Sequence, residues 1–153
     1  MARESLRSRN VIKPTQDTTG VHVWLILWKA YRSVAAKAAA DIGTQGLGMS
    51  DFGVLECVLH KGPTPVNAIG PRIGLTSGSI STAVDRLEQR GLVSRRLDAQ
   101  DARARAVHLT ASGRRLIERA FARHREAMEK AAGALDQEER RRLVELLKKL
   151  GKS

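Results

Sequence analysis

The chain has 153 residues, enough for one domain with a real core. Its 27 Lys and Arg against 16 Asp and Glu give a formal net charge of +11, which favours a polyanionic partner, nucleic acid first and an anionic membrane surface second. The single cysteine excludes an internal disulfide framework, and no uncharged apolar run is long enough to span a bilayer. The opening stretch MARESLRSRN has no apolar run after it, so no secretory signal is expected. The expectation is a cytoplasmic protein with no membrane partner.

Residues 1–19 are polar and basic without a period, with Arg3, Arg7, Arg9, Lys13 and Pro14. They read as a flexible N-terminal arm: a loose tail, or a segment that helps dimerise or touches DNA. The spacing then predicts a helix from Val21 to Asp41, with Trp24, Leu27, Trp28, Tyr31, Val34, Ala35 and Ala38 on a wide apolar stripe. Aromatics make up only 3% of the chain, so three of them in one helix is a concentration. Core packing and the wall of a cavity for an aromatic ligand are both open to them.

After the glycine-rich stretch from Gly43 to Gly48, Ser50 is expected to cap a second helix, Asp51 to His60, with Phe52, Leu55, Val58 and Leu59 inward. Cys57 lies on it, with His60 one turn on. It reads as a small buried apolar residue, with a redox switch as the alternative. Gly62-Pro63 is a turn. Thr64 and Pro65 have the pattern of a cap and a first helical position, opening a short third helix with Val66, Ile69 and Ile73 apolar. Pro71 falls inside it, where a kink or an early end is expected.

The stretch LTSGSISTAVDRLEQRGLVSRRLDAQDARARAVHLT, Leu75 to Thr110, organises the chain. Thr76 can cap a fourth helix, Ile80, Val84 and Leu87 form its apolar face, and Gly91 can end it in a left-handed cap. The opposite face carries Ser77, Ser79, Thr82, Arg86 and Gln89, a set suited to base edges and phosphates. Two extended runs follow, Val93 to Leu97 and Ala104 to Leu109, joined by a loop with Asp98, Asp101 and Arg103. Two helices so close together form a helix-turn-helix. With the basic hairpin behind it, this is a winged helix.

Thr110 is expected to cap a long helix reaching about Ala132. Asp136 and Glu139 have capping-box spacing before a last helix with Leu143, Leu146, Leu147 and Leu150. A winged helix needs less chain than this. The flanking helices all carry apolar stripes, and the simplest use for those is a dimer interface. The fold class is therefore mainly α with a small β-hairpin wing. Residues 50–109 form the winged helix-turn-helix, and 20–42 plus 110–150 are dimerisation helices of a single domain, 20–153. No nucleophile elbow, phosphate-cradling loop or metal-helix motif is present, and the four histidines are scattered. No enzyme, metal or cofactor is expected.

The run from Leu75 to Gly113 resembles the MarR family of winged-helix transcriptional regulators, and the likeness extends from about Trp24 to Leu150. Val84-Asp85-Arg86-Leu87-Glu88 matches the family's recognition helix, and Gly91-Leu92-Val93 its entry to the wing. The family's Asp-Pro at the wing start is Asp98-Ala99 here, and its Asp-Arg-Arg is Asp101-Ala102-Arg103. A narrower likeness, in FGVLECVLHKGPTPVNAIGPRIGLTSGSIS, is to the branch responding to hydroquinones and catecholic compounds; Pro71 departs from that branch.

The resemblance implies a homodimeric repressor on an inverted-repeat operator in double-stranded DNA, released by a small aromatic or phenolic effector. DNA-binding roles fall to Ser77, Ser79, Thr82, Arg86, Arg95, Arg96, Arg103 and Arg105, with Asp101 orienting Arg103. Trp24, Trp28, Tyr31, Phe52, Leu55 and His60 are candidates for the effector pocket. A redox-responsive repressor using Cys57 and a non-specific basic architectural protein are the alternatives.

Overall fold

A computed structural model describes residues 17–97 and 105–152. The expected arm up to residue 16 and the wing tip with Asp98, Asp101 and Arg103 lie outside the described residues. The element order is α1 (Gly20–Gly43), α2 (Met49–Lys61), β1 (Thr64–Pro65), α3 (Val66–Ile73), α4 (Ser77–Gln89), β2 (Val93–Leu97), β3 (Arg105–Leu109), α5 (Ala111–Ala131) and α6 (Gln137–Leu150). This is the expected class, mainly helical with a small antiparallel sheet. The chain falls into two compact units, one ending at Ser33 within α1 and one starting at Val34.

In the first unit, most of the large apolar side chains of α1 are exposed, with Leu27 half-buried. Trp24 is 61% and Tyr31 69% accessible, and Val21, Leu25, Ile26 and Trp28 are also open. The Arg32 guanidinium lies over the Trp28 ring, 4.7 Å from its centroid, a cation–π contact.

The second unit holds the core. Ile42, Val54, Leu55, Ile69, Ile80, Val84, Leu87, Val107 and Ile117 are sealed from solvent. They come from α2, α3, α4, β3, α5 and the end of α1, so one apolar cluster fixes the helix-turn-helix to the sheet and to α5.

Two expected starts are corrected. Gly48, not Ser50, is the residue before α2, and the Ser50 hydroxyl makes no cap bond. It accepts from the Arg86 guanidinium at 3.3 Å instead. Thr64 and Pro65 do not open a helix. They form β1, pairing antiparallel with Val107 and Ala106, in a sheet of order β1-β3-β2. The physical reason is that β3 would otherwise present an open edge, and this short segment covers it. Proline fits there because an edge position does not need its missing amide. Pro71 stands inside α3, and the helix ends two residues later at Ile73, with Gly74 as its left-handed cap at φ 70.

The other terminal signals hold. Thr76, Thr110 and Asp136 each accept the expected amide bond, and Asp136 and Glu139 complete a reciprocal capping box. Past α4 the Gly91 and Leu92 amides return to the Glu88 and Leu87 carbonyls. That is the double bond of a Schellman turn, with Gly91 at φ 68.

Candidate nucleic-acid interface

The turn between α3 and α4 is tight because glycine allows it. A Cβ on Gly70 would stand 2.8 Å from the Leu75 carbonyl oxygen, so a larger residue would push the two helices apart. Between these helices lies an open cleft of about 190 Å³ lined by Val66, Asn67, Gly70, Ser77 and Ser81. Asn67 and Ser81 were not singled out by sequence; their proximity to Ser77 depends on how α3 packs on α4.

Ile80, Ala83, Val84 and Leu87 bury one face of α4, and Ser77, Ser79, Thr82, Arg86 and Gln89 are exposed on it. The predicted division into a core face and a polar face is therefore present. The polar face is partly engaged. The Thr76 hydroxyl donates to Ser79 Oγ at 3.0 Å, and Thr82 Oγ1 donates to the Gly78 carbonyl at 3.0 Å. Thr82 thus keeps acceptor capacity, while its proton is used within the helix.

Arg86 does not stand free. Its Nε lies 3.1 and 3.0 Å from the two carboxylate oxygens of Asp51, and its Nη2 also donates to Asp51 Oδ1. Asp51, in the first turn of α2, is only 3% exposed, and Arg90 approaches its other oxygen at 3.7 Å. The Asp51 bond holds the Arg86 guanidinium more firmly protonated than usual. Sequence reasoning missed Asp51 because its partners are 35 and 39 positions away, and only packing of α2 on α4 joins them.

Arg95, expected among the DNA contacts, sits in a second clamp. Its guanidinium bonds Glu88 and Asp85, and its backbone amide donates to Glu88 Oε1 at 2.9 Å. It thereby ties β2 to α4 and offsets two carboxylates on the helix. That amide bond first, then the guanidinium, lowers the Glu88 pKa against a partial opposing effect of burial. Arg96 and Arg105 are exposed on neighbouring strands.

The effector-pocket candidates divide between the two units. Trp24, Trp28 and Tyr31 belong to the first. In the second, Leu55 is sealed in the core, while the Phe52 ring packs 4.9 Å from His124. His60 packs edge-on to Phe121 at 4.7 Å, and its Nδ1 lies 3.0 Å from the Glu56 carbonyl. His124 Nδ1 lies 3.1 Å from Asp41 Oδ2, which also accepts from Gln45. The links of Asp41 to His124 and of Gln45 to the Ala120 carbonyl escaped sequence reasoning for the same reason as Asp51: long separation. Cys57 is buried, and burial pushes its thiol pKa up, with nearby Arg72 pulling partly the other way. Among the described residues no group of three potential ligands could hold a metal, and no helix is long and apolar enough to cross a membrane.

A helix-turn-helix backed by a basic strand pair is the frame of a winged-helix DNA reader, and comparison with known proteins identifies which kind. Residues 47–104 match the MarR family. HTH-type transcriptional regulator MhqR of Bacillus subtilis is 35% identical over 129 residues, 84% of this chain and 89% of that protein. The chain belongs to the MarR family. It is a DNA-binding transcriptional regulator.

A probable transcriptional regulator from Pseudomonas aeruginosa has the same fold, with a TM-score of 0.73, 33% identity, and coverage of 84% of this chain and 96% of that one. BpsR of Bordetella bronchiseptica, whose DNA binding is regulated by 6-hydroxynicotinic acid, aligns with a TM-score of 0.76 and 25% identity, covering 85% of this MarR-family chain and 98% of BpsR.

Proposed function

We propose that this MarR-family regulator is a homodimeric repressor that binds an inverted-repeat operator and releases it when a small aromatic or phenolic ligand binds. The observation that carries the DNA half is the exposed face of α4, with Ser77, Ser79, Thr82 and Arg86 on a helix capped at both ends and seated on a closed core. Such a helix fits a major groove, and two-fold symmetry places the half-site centres about 34–36 Å apart, or a multiple of that. In this reading Ser77, Ser79 and Thr82 set specificity and Arg86 reaches phosphate or base. Arg96 and Arg105 meet the flanking backbone, and Arg103 enters a minor groove, oriented by Asp101. Arg95 acts through the wing rather than on DNA.

Dimerisation is supported by the apolar faces that one chain leaves open. Val21, Trp24, Leu25 and Ile26 of α1 and Leu143, Val144, Leu146 and Leu147 of α6 are all exposed, and a second copy of the chain would cover them. The ligand half draws on BpsR, which answers to a hydroxylated aromatic acid, and on the likeness to MhqR, which favours the hydroquinone- and catechol-responsive branch. The aromatic rings and polar groups of Phe52, Phe121, His60, His124 and Asp41 supply a setting that could hold a ring and orient its hydroxyl.

The test is selection from a randomised duplex library, followed by competition. An inverted repeat should emerge, and a scrambled duplex should compete far less well than the selected one. If both compete equally, the protein is a non-specific basic DNA-binding protein and the repressor reading fails.

A further inference from the structure

The Asp51 carboxylate is an unusual feature for a face that meets DNA. It is almost fully buried, yet it lies beside two arginines of the helix proposed to enter the groove. Its charge alone would oppose phosphate. Its geometry does something different. Three guanidinium contacts fix the Arg86 head group, the Ser50 hydroxyl accepts a fourth, and Arg90 is drawn toward the same carboxylate. Arg86 has many rotamers when free, and a bidentate clamp removes most of them before DNA arrives. The pair also joins the start of α2 to the last turn of α4, so it sets the angle at which α4 leaves the core. The count of charge, two guanidiniums on one carboxylate, leaves a net positive group there.

We infer that Asp51 is a positioning residue for DNA recognition, holding Arg86 and Arg90 in the orientation that meets the operator backbone. This deepens the repressor reading and rests on it. The positional role and simple electrostatics predict opposite signs. Neutralising an acidic group near DNA should tighten binding to every duplex and steepen the salt dependence. Loss of a positioning residue should weaken binding to the operator while leaving or improving binding to a scrambled duplex.

The experiment uses the full chain and the duplex selected above, with its scrambled version as control, over a salt series. Asp51→Asn is expected to lose about tenfold or more in affinity for the selected duplex and to gain or hold affinity for the scrambled one. Arg86→Lys keeps every charge and the carboxylate but cannot make the fork. It is expected to show the same loss of selectivity at an unchanged salt slope. The double variant Asp51→Asn with Arg86→Ala should lose less than the sum of the two single losses, since the pair acts largely as one unit and only the hold on Arg90 remains to be removed. Equal tightening on both duplexes by Asp51→Asn overturns the inference, as does full selectivity in Arg86→Lys. Where Asp51→Asn does not fold, Arg86→Lys decides. A wild-type protein that does not discriminate removes the repressor reading and this inference together; wild-type discrimination that survives both single variants removes the inference alone.

Discussion

Arg95 and Glu88 are bonded twice over: the guanidinium reaches Glu88 Oε2 while the backbone amide of the same residue reaches Oε1. One side chain of the recognition helix thereby fixes both the backbone and the head group of the first wing strand. The Glu88 carboxyl is held below its ordinary value of 4.5, the amide bond being the largest cause. A depressed carboxylate contributes stability that is fully present above the unfolded value and is lost as pH falls through the lower, folded one. The clamp should therefore stay closed through neutral and mildly acid solution and open only below the usual carboxylate range. A carboxyl-carbon NMR titration of Glu88 should show a midpoint below 4.5; a midpoint above it would remove the amide as a controlling contact.

Arg95→Ala tests the same clamp from the other side. It frees Asp85 and Glu88 on α4 and loosens β2. Operator affinity should fall without Arg95 touching a phosphate, and removing Glu88 as well should recover part of the loss. If Arg95→Ala reduces the salt slope by about one unit, the residue is itself a phosphate contact and the positional reading is wrong.

Gly113 supports the wing from below. A Cβ there would lie 1.9 Å from the Leu92 carbonyl oxygen, which already accepts the Thr110 amide. The obstacle is backbone and cannot step aside cheaply. Gly113→Ala should destabilise the fold by at least about 1–3 kcal/mol, the usual cost of overpacking. Denaturant unfolding checks this, and a change under half of that range would mean the α5 start moves freely.

Much of this arrangement was legible in the sequence, and the reason is that it rests on local chemistry. Thr76, Thr110 and Asp136 cap helices within three residues of themselves, and Gly91 takes the left-handed turn that only glycine accepts without cost. What escaped depends on packing. Thr64-Pro65 has the pattern of a helix start, but its backbone is claimed by β3, more than forty residues away. Asp51 reads as a first-turn acid, and its partners appear only when α2 lies on α4. Arg95 reads as one more basic residue of a basic hairpin, until the helix beside it supplies two carboxylates.

Cys57 lies inside the core with its thiol shifted away from the thiolate. The nucleophile in oxidation by peroxide is the thiolate, so reaction should be slow in the folded protein. Cys57→Ala should keep operator binding and respond to peroxide as wild type does. Peroxide-driven release from DNA in wild type that disappears in Cys57→Ala would establish the redox reading instead.

Ligand control can be read through Trp24 and Trp28, the two tryptophans of the chain. Both are exposed in a single copy, so their emission should shift blue when a second copy covers α1. A further change on addition of a phenol or hydroquinone would report the effector. For release to occur, the ligand must bind the DNA-incompetent arrangement more tightly. Linkage then makes the effect reciprocal, so the selected duplex should weaken ligand binding by the factor by which ligand weakens DNA binding. Titrating a panel of phenols, hydroquinones and hydroxylated pyridine carboxylates, with and without the duplex, measures both sides. His124→Ala, which removes one partner of Asp41 and the ring packed on Phe52, should reduce ligand affinity more than duplex affinity. A compound that binds saturably with the same affinity whether or not the duplex is present would be an occupant of an aromatic crevice, not the signal that releases the operator.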